Sequence, residues 1–236
     1  RRIFKTVEKS IDSGSTNNFK VINITVEEQP TGEISAGAGT GTSGSTVSFG
    51  IRENNYLGSG VKLDTNFSIS DNGLQGIVSI ENPNFRNSNK SLNRSVEASD
   101  IDRMDKFGYK TTKTGFSFGT SFEQYDDIYF SPSISTYLET LKTSSIASNA
   151  KKKQKGNYFE SNFNYGLTLN RLNQNFQPSS GYKTTFAQVL PIYADDMSVV
   201  NSFNISRYFS PNENTIFSLK FLAETVTSLS GDDVRV

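Results

Sequence analysis

An all-β chain, folded as an antiparallel barrel that crosses a membrane, is the fold class predicted by three features of the sequence. Between turn signals nearly every segment can be read with an apolar residue at every second position, and helical spacing is hard to find. Most such segments have about the 9 to 11 residues that a tilted strand needs to cross a bilayer, where strands of soluble sandwiches run to roughly five or six. Their polar positions carry charge, as at Arg52, Lys62, Asp64 and Glu81, which suits a water-filled lumen better than a packed interior.

The first 30 residues differ in kind. "RRIFKTVEKSID" and "NNFKVINITVEEQ" are strand-like runs around "SGSTN", a hairpin signal, and they read as the tail of a preceding soluble module. Residues 26–30 then lead into the next segment with almost no flexible linker.

Eleven segments follow. The first, 32–41, sets Ile34, Ala36 and Ala38 against Glu33, Ser35, Gly37 and Gly39. The second, 45–53, sets Val47, Phe49 and Ile51 against Ser48, Gly50 and Arg52. Alternation is clearest in 60–70, where Val61, Leu63, Thr65, Phe67 and Ile69 interleave with Lys62, Asp64, Asn66, Ser68 and Ser70. Segments 74–82, 90–99 and 109–120 follow, and 126–139 places Phe130, Ile134 and Leu138 apart from Ser131, Ser133 and Ser135. The last four are 156–170, 181–192, 197–209 with "NSFNISRYF", and 214–227 with "TIFSLKFLA".

If strands alternate in direction, the two longest connections of one set, "SDIDRMDKFGY" (99–109) and "KTSSIASNAKKKQKGN" (142–157), fall on the same side. The opposite set, from "NNYLGSG" to "SPNENT", is mostly turn-like and built from Asn, Pro, Gly and Asp. Long outer loops and short periplasmic turns are the pattern of outer-membrane barrels. Lys151 to Lys153 then lie in an outer loop, as a solvated cluster or a contact to anionic lipid. Tyr56, Phe85, Tyr129, Phe130, Tyr158, Phe159, Tyr182 and Tyr208 fall near segment ends, as interfacial anchors do.

Composition narrows the chemistry. Only 34% of residues are hydrophobic and 12% aromatic, a poor recipe for a water-soluble core. Lysine plus arginine and aspartate plus glutamate are each 24, so no basic field draws the chain to nucleic acid. Cysteine and histidine are absent, which removes disulfides, thiolate metal sites and the commonest general base. No apolar run reaches the roughly 18 residues of a membrane helix, and residues 1–10 are no signal peptide, so the chain reads as an internal fragment. Asp126–Asp127, Asp195–Asp196 and Asp232–Asp233 are neighbours that a strand would turn to opposite faces, so they make poor dyads. "GAGTG" (37–41) lacks the Gly-Lys-Ser/Thr and the helix of a phosphate loop. The chain is read as a non-enzyme without cofactor or metal.

"VEEQPTGEISAGAGTGTSGSTVSFGIRENNYLGSGVKL" (26–63), followed by "ENPNF" (81–85), closely resembles the junction between the last POTRA domain and the barrel of BamA-type outer-membrane protein assembly factors, the bacterial surface antigen family. "FNYGLTLNRLNQNFQPSSGYKTTF" (163–186) resembles the same family's strand, periplasmic turn and glycine-led next strand. The resemblance implies that residues 1–30 close a POTRA domain in the periplasm. Residues 31–236 then supply about eleven of sixteen barrel strands in the outer membrane. "VRV" (234–236) precedes the family's Val/Ile-Arg-Gly-Phe loop motif and is not it. It further implies a function in folding and inserting barrel proteins through a lateral gate. Gly32, Glu33, Ile34, Ser35, Ala36, Gly37, Ala38, Gly39 and Thr40 are the edge on which a client strand pairs. The implied partners are unfolded outer-membrane β-barrel clients, accessory assembly lipoproteins and outer-membrane lipids. A two-partner-secretion or translocation transporter of the same superfamily and a passive porin or surface antigen are the alternatives. On residues alone Gly37 and Gly39 serve equally well to permit curvature; the resemblance favours the gate.

Overall fold

The structure, a computed structural model, describes residues 3–16, 18–41 and 44–231. "VRV" and the Asp232–Asp233 pair lie outside the described residues. Two antiparallel sheets are present. The first is a hairpin of β1 (Phe4–Ser13) and β2 (Lys20–Glu28), with Val7 opposite Val26 and Ile11 opposite Ile22. Its apolar residues Val7, Ile11, Ile22, Ile24 and Val26 share one face, while Thr6, Glu8, Ser10, Asn23 and Thr25 share the other.

The second sheet is a meander of eleven strands: β3 (Gly32–Gly41), β4 (Gly44–Tyr56), β5 (Val61–Ser70), β6 (Gly73–Asn82), β7 (Lys90–Arg103), β8 (Tyr109–Tyr125), β9 (Ile128–Thr143), β10 (Gly156–Leu172), β11 (Gly181–Ala194), β12 (Ser198–Asn212) and β13 (Thr215–Ser228). Each strand pairs antiparallel with its sequence neighbour, and the sheet is open, with β3 at one edge and β13 at the other. Each of the eleven periodic segments corresponds to one strand.

Register makes the alternation coherent across strands. The row Ile34, Ile51, Thr65, Val78, Val96, Phe116 runs along one face, the next row carries Ala36, Phe49 and Phe67, and the one after it Ala38, Val47, Ile69 and Leu74. The other face is built of hydroxyls, amides and charges. Ser95 meets Ser117 at 2.7 Å, Ser121 meets Ser131 at 2.7 Å, and the Asn164 amide donates to Ser135 at 3.0 Å. Ion pairs Arg52–Asp64 (2.9 Å) and Lys62–Glu81 (3.1 Å) lie on this polar face. The apolar face is uncovered by protein: Ile34 is 72% exposed and Leu219 65%. Leu92, Leu141, Ala147 and Ala194 are the buried hydrophobic residues among those described, so the chain has almost no interior core of its own. Burial of this face must come from lipid, the reverse of a soluble β protein.

Three features differ from expectation. Strands run longer than a bilayer requires, since β7 continues through Asp100 and Asp102, both paired with Lys110 (2.8 and 3.6 Å). Charge pairing above the membrane keeps the ladder going, so the connection expected over 99–109 shrinks to residues 104–108 with the short helix α1 (Met104–Phe107). Loop asymmetry therefore rests on 144–155, which holds α2 (Asn149–Lys153), while residues 83–89 and 173–180 make substantial connections on the other side. Finally, Tyr129, Tyr158 and Tyr208 share the polar face with Glu123, Glu139 and Ser218. Phe130, Phe159 and Tyr182 occupy the apolar face, so only part of the expected aromatic set can anchor to lipid.

Candidate functional site

Strand β3 pairs on one side only, with β4, from Gly32–Glu53 to Gly41–Gly44. All its residues are exposed. The Thr31 carbonyl accepts a hydrogen bond from the Asn54 N–H at 3.3 Å. In an antiparallel ladder paired residues alternate between hydrogen-bonded and non-hydrogen-bonded, which makes Thr31–Asn54 bonded and Gly32–Glu53 not. The odd residues Glu33, Ser35, Gly37 and Gly39 therefore turn their backbone groups toward β4. Gly32, Ile34, Ala36, Ala38 and Thr40 turn theirs to the free edge.

The nine sequence-derived edge residues thus fall into two sets. The even set carries the unpaired N–H and C=O groups and its side chains lie on the apolar face. The odd set carries polar or absent side chains on the polar face, where Glu33 stands opposite Arg52. In hydrocarbon each orphaned backbone group costs several kcal/mol, so this edge cannot rest unpaired in a membrane. Some strand must cover it.

Side-chain support along β3 is uneven. Among the described residues, Ser35 Oγ donates to the Gly50 carbonyl at a long 3.5 Å. Beyond it, a Cβ at Gly37 would touch only Ser48 Oγ at 3.2 Å, and at Gly39 and Gly41 nothing lies within 4 Å. The strand's root is different. Thr31 Oγ1 donates to Glu53 Oε1, the same oxygen accepts from the Asn55 N–H at 2.7 Å, and Asn54 Nδ2 donates to the Thr31 carbonyl at 3.2 Å. A bulge between Glu53 and Tyr56 inserts the extra residue that turns Asn54 and Asn55 out of the ladder with β5. Asn55 Oδ1 then accepts from the Gly60 N–H at 2.7 Å and closes the turn into β5. Thr31–Gly32 and Glu53–Asn54–Asn55 all lie in the stretch 26–63 that carries the family resemblance. Their offset across one hairpin was the available signal.

The other candidates are absorbed by structure. Asp195 accepts from the Phe159 N–H at 2.7 Å and Asp127 pairs with Arg171 at 3.5 Å. "GAGTG" lies wholly in β3. In the lysine run, Lys151 sits over the Tyr109 ring at the start of β8, and Lys152 donates to the Ser145 carbonyl at 2.7 Å within its own loop.

A family model described as the Omp85 superfamily domain matches residues 55–236. The crystal structure of BamA from Haemophilus ducreyi lacking POTRA domains 1-3 is similar in fold, with a TM-score of 0.77 at 22% identity. The similarity covers 99% of this chain and 48% of that one, so the chain spans about half the length of the protein it resembles. The family match begins within β4, and β3 is aligned by the structural likeness alone.

Proposed function

The chain belongs to the Omp85 superfamily, and on that premise we propose that it forms part of a factor that folds and inserts β-barrel proteins into the bacterial outer membrane. Residues 31–236 supply the amino-terminal strands of the barrel, and residues 1–30 the closing hairpin of a periplasmic POTRA domain. β3 is the strand on which an incoming client strand pairs.

The observation that carries this reading is how weakly β3 is supported by side chains: past Ser35, positions 37 and 39 meet almost no neighbouring atoms, so the strand supplies little side-chain adhesion beyond its root. A neighbour would be held chiefly by the ladder, and backbone bonds accept any client sequence. Weak side-chain adhesion lets that neighbour leave again. No nucleotide is required if client folding is downhill. Unfolded barrel clients, accessory lipoproteins and outer-membrane lipids are the partners this function calls for.

Depletion of the full-length protein tests the reading. General loss of barrel proteins from the outer membrane, together with loss of viability, is the expected result. Loss of one secreted substrate alone would assign a transporter, and a permeability change alone would assign a porin; either overturns the assembly reading.

A further inference from the structure

We infer that Glu53, Thr31 and Asn54 form a latch that fixes the root of β3 against β4 and leaves the strand's far half as the part that moves. The proposal deepens the edge-strand function above and rests on it for its consequence, though the latch itself stands on geometry.

Glu53 shares the apolar face with Leu63, its partner across the ladder. A carboxylate on that face needs charge-assisted partners, and two donors converge on its Oε1: the Thr31 hydroxyl and the Asn55 N–H. Oε2 lies over Gly32, where an added Cβ would stand 2.7 Å from it. A side chain at the first position of β3 would push the carboxylate aside from this place over the strand. Asn54 adds two bonds to one oxygen, since its N–H and Nδ2 both reach the Thr31 carbonyl, at 3.3 and 3.2 Å. Thr31 is thus held by its backbone and its side chain together.

The opposite end has a different arrangement. There Asp71 accepts from the Ser45 N–H at 2.8 Å and ties β4 to the β5–β6 turn, with no corresponding bond to β3 among the described residues. Support therefore falls from several bonds at Thr31, through one long bond at Ser35, to open space at Gly39. A strand held by side chains at its root and by the backbone ladder alone farther out bends more readily beyond the clamp. The latch also fixes which β3 residues face an incoming strand, because slipping by one residue would exchange the odd and even sets. Glu53, Thr31 and Asn54 are positioning residues for strand pairing.

Amide hydrogen exchange of the full-length protein in a bilayer, without client, tests the latch. Compared within the odd set, Glu33 and Ser35 should exchange at least tenfold more slowly than Gly37 and Gly39. Glu53→Ala should raise exchange at Glu33 and Ser35 about tenfold and leave Gly39 unchanged, while Glu53→Gln, which keeps an acceptor oxygen, should restore much of the protection. Uniform exchange along β3, or Glu53→Ala leaving the root protected, overturns the latch. Client assembly rates in the same preparation separate the two claims. If the root loosens as expected but clients assemble at the original rate, the latch stands and the pairing role of β3 falls.

Discussion

Replacing Gly37 and Gly39 with valine together should slow the release of a client strand from β3 without blocking the protein's own folding. An interior glycine weakens a strand by about 0.5–1 kcal/mol relative to alanine, through the backbone freedom it must surrender. Valine lies at the favourable end of a strand-propensity scale that spans about 1 kcal/mol in all, so the gain at each site is capped near that figure. The space is available: a Cβ at residue 37 meets only Ser48 Oγ at 3.2 Å, a hydroxyl that can rotate, and residue 39 has nothing within 4 Å. Two substitutions therefore favour the paired state by about 1–2 kcal/mol, a factor of roughly 5–30 in the equilibrium. The assay is pulse–chase of a client in outer-membrane vesicles, following the lifetime of the factor–client complex. A lifetime longer by that factor is expected, with the double alanine variant lying between. An unchanged lifetime in a correctly folded double-valine protein refutes the reasoning and leaves these glycines a role in sheet shape alone.

Other substitutions test the faces and the hairpin. Phe67→Arg, on the apolar face, should cost the full-length barrel about 2–4 kcal/mol in urea titrations from vesicles if it lies near the midplane, whereas Asn66→Arg on the polar face should cost little. If residues 1–30 close a POTRA domain, Ile24→Asp should make them protease-sensitive in the full-length protein, because Val7, Ile11, Ile22, Ile24 and Val26 form the face the rest of that domain would cover; Thr25→Asp, on the other face, should not. Tyr137→Ala should destabilise the barrel by about 1–2 kcal/mol, since the ring packs over Gly115 and beneath Lys113 Nζ at 4.1 Å.

Strand existence was legible because period two survives wherever one face meets lipid and the other water, so Val61 to Ser70 gave a strand bounded almost as observed. Strand ends were less legible. Asp100 and Asp102 read as residues of a connection, but pairing with Lys110 across the ladder extends β7 beyond the apolar band. Aromatic residues near strand ends could not be sorted by position alone. Register sends Tyr129 to the polar face and Phe130 to the apolar one. The edge residues 32–40 came from a family resemblance and not from periodicity. Their division into odd and even sets needed a single backbone bond, Thr31–Asn54. The contact of Glu53 with Thr31 joins residues 22 apart, and only their offset across the hairpin signals it.

Disulfide scanning of β3 against a client's last strand tests the pairing edge most directly, and residues 1–236 hold no native cysteine to compete. The even residues would hydrogen-bond the new strand, so the odd residues form its non-hydrogen-bonded pairs, whose side chains approach more closely, as the short Cβ–Cβ span of a disulfide, about 3.8 Å, requires. Cysteines at Ser35, Gly37 and Gly39 should therefore cross-link during assembly more efficiently than cysteines at Ile34, Ala36 and Ala38, each with one client position. Absence of cross-links at every register, or equal yields at odd and even positions, would contradict β3 as the strand on which clients pair.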